Sequence, residues 1–292
     1  RASAVAFLVV IGALALAWIF GQDALKRRVA DARAQPITLQ IRWPSVSGDR
    51  GRTWMPERVR RELEQTILSR VSPDVFDRAS LEDARAALLR TGGCERRDAG
   101  RRLEGNSSEV VGEWRTPLAV VRLGQTDHVV GTGGALLPLA YRPGGAGPGL
   151  KVIYGVSVPG ATLSDGSPAS GAPWSGGEVQ AAQALLDTLR RAFSATRVWP
   201  QIAGVDAGQF AKNGRLAIIT DRGARVVWGA PPGVIAPGEQ TTDQKIARLV
   251  NLANGRSERI DAGEPWVEIF GAHVYVDSTQ TASSLAQGQN GE

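Results

Sequence analysis

Apolar and polar positions divide the chain into three kinds of stretch. The first is an unbroken apolar run, Ala4–Phe20, AVAFLVVIGALALAWIF. At about seventeen residues it lies at the short end of what crosses ~30 Å of hydrocarbon. Trp18 stands where an interfacial aromatic belongs, and no small-x-small cleavage site follows. The expectation is a transmembrane anchor over 1–21 and a juxtamembrane linker over 22–35. A second kind of stretch has helical spacing. Over Pro56–Arg70, Val59, Leu63 and Ile67 recur every four residues, with Pro56 suited to the first turn. A second helix is predicted from Ser80, through Leu81, Ala84 and Leu88, to a stop at Gly92-Gly93. The longest predicted helix has Val179, Ala182, Leu186, Leu189 and Phe193 on one face. Ser175 and Glu178 form a capping box at its start, and Trp199-Pro200 marks its end.

The third kind alternates. Ile37–Trp43, ITLQIRW, reads as a half-buried strand, followed by a loop over 44–53. Glu109–Glu113 and Leu118–Leu123 read as strands broken at Pro117. Asp127–Leu139 reads as a hairpin turning at Gly131–Gly134, and Leu150–Val156 and Ile202–Phe210 as further strands. Leu216, Ile218, Val226 and Trp228 flank the turn Asp221-Arg222-Gly223, and the second strand of that hairpin ends at Gly229. A Pro/Gly loop then leads to a helix with Ile246, Leu249 and Val250 on one face. Thr241 and Gln244 form its capping box, and Gly255 closes it. Trp228 is expected to pack against this helix. Two short strands, Trp266–Phe270 and His273–Val276, join at Gly271. Ser278–Glu292 has no apolar pattern and reads as a disordered tail.

Composition narrows the function classes. The net charge of +5 is carried almost wholly by arginine, the only lysines being Lys26, Lys151, Lys212 and Lys245. Acidic residues interrupt the arginines throughout, so no basic tract suited to nucleic acid stands out. A single cysteine, Cys94, excludes an intramolecular disulfide and a Cys-based zinc site. His128 and His273 are the only histidines, lie far apart in sequence and read as strand residues. No lysine sits in a phosphate-binding loop, Gly131-x-Gly133 lacks a third glycine and a following helix, and no nucleophile elbow occurs. The sequence therefore predicts no catalytic residue, no metal site and no cofactor.

The hairpin and helix also carry a resemblance. Arg225-Val226-Val227-Trp228-Gly229, then Gly238-Glu239, then Lys245-Ile246-Ala247-Arg248-Leu249 resemble the β domain of the FtsQ/DivIB family, membrane proteins of the bacterial division septum. The segment Glu113–Val121, EWRTPLAVV, is similar to that family's hinge between its POTRA and β domains. Strand, two helices and strands before the hinge look like the POTRA domain, although Cys94–Gly105, which should hold a strand, has almost no apolar residues. The resemblance implies an α+β fold: a single N-terminal transmembrane helix, a POTRA-like domain over 36–116, and a mixed β-sheet domain over 117–277 with helices packed on it. It implies a non-enzymatic septal scaffold in the inner membrane, with its bulk outside the cytoplasm. The charges just after the apolar run, Lys26, Arg27, Arg28 and Arg33, point the other way by the positive-inside rule. The implied partners are divisome membrane proteins of the FtsB/FtsL type, received by strand addition at the last strand, with Ala272, Val274, Tyr275 and Val276 as contacts. The alternatives are a membrane-anchored envelope enzyme or inhibitor acting on peptidoglycan, and a POTRA-containing secretion or assembly component.

Overall fold

A computed structural model describes residues 38–46, 49–72, 78–102, 107–146, 149–156, 162, 164 and 169–277. The described chain is α+β and divides into two compact units. The first runs to Trp114, and the second starts at Arg115 and takes in 91–93.

In the first unit the strand β1 (Thr38–Ile41) is followed by a hairpin of β2 (Ser45–Val46) and β3 (Asp49–Thr53), where a loop is expected from sequence. Helix α1 (Glu57–Leu68) buries Val59, Leu63 and Ile67, the predicted stripe, with Pro56 at its N-cap. Helix α2 (Arg78–Arg90) starts two residues before Ser80 and buries Ala84 and Leu88. Strands β4 (Cys94–Arg102) and β5 (Ser107–Trp114) complete a sheet of order β1-β5-β4, with β1 and β5 parallel. β4 pairs with β5 along its length, from Cys94 opposite Trp114 to Arg102 opposite Ser108. Backbone pairing defines this strand, which is why apolar periodicity gives so little sign of it. Trp114 donates its indole N–H to the Arg42 carbonyl at 2.8 Å and packs on Trp43, ring centroids 5.3 Å apart.

The second unit is built on a nine-stranded mixed sheet. Strands β6 (Pro117–Leu123), β7 (Thr126–Gly131) and β8 (Leu136–Tyr141) form an antiparallel meander at one end. β9 (Lys151–Tyr154) joins it in parallel to β10 (Ile202–Asp206), next to the hairpin of β11 (Leu216–Thr220) and β12 (Arg225–Gly229). β13 (Trp266–Glu268) lies parallel to β12, and β14 (Tyr275–Asp277) ends the sheet. Helix α3 (Glu178–Phe193) buries the predicted face and Leu185 as well. A single-turn helix α4 (Phe210–Asn213) follows β10, and α5 (Thr242–Ala253) follows β12. Val205, Ile218, Val226, Trp228 and Val267 share one buried cluster with the apolar residues of α3 and with Leu249 and Ala253 of α5. Paired registers place Val205 opposite Ile218, Ile218 opposite Val226 and Val226 opposite Val267, so one face of the sheet supplies this core.

Three local expectations are corrected. Ser175 is not the cap of α3: Gly176 (φ +91°) and Gly177 (φ +77°) turn the chain left-handed, and Gly177 holds the cap position with no side-chain bond. The predicted strand over Ile202–Phe210 ends at Asp206, whose Oδ1 accepts the Gly208 N–H at 2.7 Å and turns the chain into α4. His273 lies before β14 and not in a strand.

The expected transmembrane helix is also corrected. Among the described residues no helix is long and apolar enough to cross a membrane. The longest helix among the described residues, α3, has 16 residues and carries Asp187, Arg190 and Arg191, whereas crossing needs about 20 apolar residues. The anchor expected over 1–21, the linker over 22–35 and the tail over 278–292 lie outside the described residues.

A candidate interaction edge at the end of the nine-stranded sheet

Strand β14 pairs antiparallel with β13, Val267 opposite Val276 and Glu268 opposite Tyr275, and no described strand pairs with its other side. The structure brings the four sequence-predicted contact residues together here. Tyr275 and Val276 lie in the strand, Val274 just before it and Ala272 in the preceding turn. Val274, Tyr275 and Val276 are 38%, 58% and 42% exposed, unusual for adjacent large apolar residues in a sheet. Facing registers sort them: Val276 shares a face with Val267, which is fully buried toward the helices, and Tyr275 shares the opposite face with Glu268.

The turn leading into β14 is held by a residue whose clamping role no sequence motif shows. Arg248 of α5 donates to the carbonyls of Ile269 at 2.7 Å, Gly271 at 2.6 Å and Ala272 at 2.7 Å. Five N–H donors in a planar fork let one side chain hold three acceptors. The only sequence signal is a long cation in the middle of a helix just upstream of two short strands. The loop between β12 and α5 supplies a further tie, the Gln240 N–H donating to the Phe270 carbonyl at 2.8 Å.

Beneath this lies a buried ion pair. Lys245 Nζ is 2.8 Å from Glu239 Oε2, with the two side chains only 3% and 8% exposed. The same carboxylate oxygen accepts the Ala230 N–H at 2.8 Å, and the ammonium lies 5.3 Å from the centroid of the Trp228 ring. Trp228 itself is fully buried, and Leu249 of α5 shares its core as expected; Ala253, not predicted, joins it, whereas Val250 is exposed. Gly229 follows with φ +89°, and a Cβ there would collide with the Glu239 carboxylate and meet Phe270 Cβ at 2.7 Å. The capping box of Thr241 and Gln244 forms as predicted.

Two other charged clusters tie turns. Asp127, 1% exposed, accepts hydrogen bonds from Arg122 Nε and Nη2 at 2.8 and 2.9 Å and from the Gly144 N–H at 3.0 Å. Burial pushes its carboxyl up, and these donors outweigh burial and hold it below its ordinary value. Arg259 likewise binds Asp261 and Asp221 beside the β11–β12 turn. Burial raises the Asp261 carboxyl, and the hydrogen bonds it accepts from Arg259 and from the Gly263 N–H outweigh burial, leaving it below the usual carboxylate range. His128, in β7, stands 6.2 Å from Trp174; burial lowers its pKa, and the charge of Asp127 opposes that. Among the described residues no three His, Cys, Asp or Glu side chains are placed to hold a metal.

No family model matches the chain, and no curated protein is similar to it.

Proposed function

We propose that this protein is a non-enzymatic scaffold of the bacterial division septum. It acts on the outer side of the inner membrane and receives a strand from a small coiled-coil membrane partner of the FtsB/FtsL type. The observation that supports the reading is the open edge of β14, with three consecutive large residues exposed just after a turn that Arg248 fixes. Unpaired N–H and C=O groups on a sheet edge are a template for another chain's strand. Tyr275 is the best side-chain anchor, because an amphipathic ring gains area at little entropic cost.

The test is a pull-down of the full chain with its partner, comparing proline at Tyr275 with proline at Val276. In an antiparallel pair successive residues alternate between N–H groups bonded to β13 and N–H groups turned outward. Proline at the outward position removes the β14 N–H that would donate to the added strand and leaves β13–β14 intact. Binding is lost in that folded variant and in a chain truncated after Phe270. Undiminished binding by both would refute strand addition.

A further inference from the structure

The face of the nine-stranded sheet turned away from α3 and α5 carries a pocket of about 210 Å³ over β10 to β13. Strand alternation sets its lining. Ile218, Val226 and Val267 belong to the core, so their neighbours Ala217, Val227, Trp266 and Glu268 point to the other side. Asp206, opposite Ala217, joins them. Gln209 and Asn213, at the two ends of α4, complete the rim. The volume is below the ~300 Å³ at which pockets for drug-sized ligands begin, so the site is sized for one small ring.

The charges in the pocket cancel, Asp206 and Glu268 against Arg215 and Arg225. Most of them are already satisfied. Arg225 pairs with Asp206, and its guanidinium lies 5.6 Å from the centroid of the Trp266 ring. Arg215 stacks on Phe270 at 4.3 Å and lies 4.0 Å from Glu239. Glu268 accepts the Trp266 indole N–H at 3.2 Å and makes no ion pair among the described residues. A cation bound there would stand beside two arginines, and an anion beside two carboxylates. The site therefore favours a neutral ligand.

What the pocket offers such a ligand is hydrogen-bonding capacity. A carboxylate has about four lone-pair sites, of which one indole N–H fills one at Glu268. Asn213 uses its Oδ1 for the Arg215 N–H at 3.1 Å and keeps its NH2 group. Gln209 adds a second amide. Between these planar polar groups lie the Trp266 ring and the buried side chains of Ala217 and Val227.

We propose that this pocket binds one neutral sugar ring, free or as a unit of a glycan. Adjacent hydroxyls meet Glu268 and the two amides, and the C–H face of the ring rests on Trp266 and Val227. The site is independent of the edge reading, because a strand added beyond β14 extends the sheet and leaves this face open.

The experiment labels the full chain with 5-fluorotryptophan, which gives one fluorine signal for each of its eight tryptophans. Trp266→Phe assigns the signal of Trp266. The chain is titrated, without sugar-based detergent, with D-glucose, D-galactose, N-acetyl-D-glucosamine and soluble trimers of glucose and N-acetylglucosamine. The Trp266 signal shifts saturably for at least one of them, with a dissociation constant on the order of 1 mM for a single ring. A trimer that binds about tenfold tighter than its monomer identifies a glycan unit, and equal affinity identifies the free sugar. Glu268→Gln weakens binding about tenfold. Asn213→Ala, at an exposed position that keeps the fold, weakens it about threefold. No shift with any sugar, or unchanged affinity in both variants, overturns the proposal. A shift with glycine or alanine and none with sugars identifies a zwitterion as the ligand and also overturns it. Partner capture at β14 is unaffected by either variant, so failure here leaves the edge reading standing.

Discussion

Replacing Glu239 by glutamine tests how the terminal strands are held. Its carboxylate sits between the Lys245 ammonium and the Ala230 N–H, both at 2.8 Å, with Arg215 next nearest at 4.0 Å. Glutamine keeps an acceptor for the Ala230 N–H and removes the charge. Lys245, 3% exposed, is then left as a buried cation with no anion. Removing one partner of a buried pair costs about 3–5 kcal/mol, and the retained acceptor puts this case near 3. At roughly 2–4 °C per kcal/mol for a domain of this size, the thermal midpoint falls by about 6–12 °C. The control is Lys245→Met in the same chain. Removing both charges leaves nothing unpaired, so Glu239→Gln with Lys245→Met should lie within about 1 kcal/mol of the parent. Lys245→Met alone strands the buried Glu239 carboxylate at a similar cost, so the coupling in the double-mutant cycle is about 5 kcal/mol. Urea unfolding gives the free energies. Hydrogen exchange on peptides from 225–277 shows whether the loss falls on β12, α5 and β14. A Glu239→Gln loss under 1 kcal/mol, or additive singles, refutes the view that this pair locks the loop to the helix.

Two further outcomes follow from the same geometry. Gly229→Ala forces a side chain into a left-handed position and against the Glu239 carboxylate, so it should cost at least about 2 kcal/mol by urea unfolding, whereas Gly223→Ala, with open space around it at φ +80°, should cost only its backbone strain. Stability should fall with acid in two stages. The folded pKa of His128 lies below 6.5, so its contribution is full above that value and fades as pH drops beneath it. The folded pKa values of Asp127 and Asp261 lie below 3.8, so theirs is full above that value and lost as pH falls through the folded values. Urea midpoints from pH 8 to 2 should lose the first stage in His128→Gln and part of the second in Asp127→Asn. An unaltered profile in both variants refutes the assignment.

The sequence by itself determined the elements whose own side chains form a face. The stripes of α1 and α3, Leu249 of α5 and the hairpin ending at Gly229 follow from periodicity and turn chemistry, because an amphipathic segment carries its burial pattern with it, whereas Val250 of the predicted α5 face is exposed. The exposed run Val274–Val276 was visible for the same reason, as apolar residues with no strand-forming sequence after them. The tertiary structure decided what depends on a distant partner. β4 exists because β5 pairs with it, although its own composition argues against a strand. The start of α3 was decided by two glycines at positive φ, over a better capping sequence two residues earlier. Arg248 became the clamp of the β14 turn only when folding brought carbonyls 21 to 24 residues away within reach. Lys245 and Glu239 stand in the sequence only as members of the family-like pattern, and burial of the pair between the β12–α5 loop and the helix makes them a lock. Local free energy is written along the chain, whereas desolvation and long-range hydrogen bonds exist only after the chain has closed on itself.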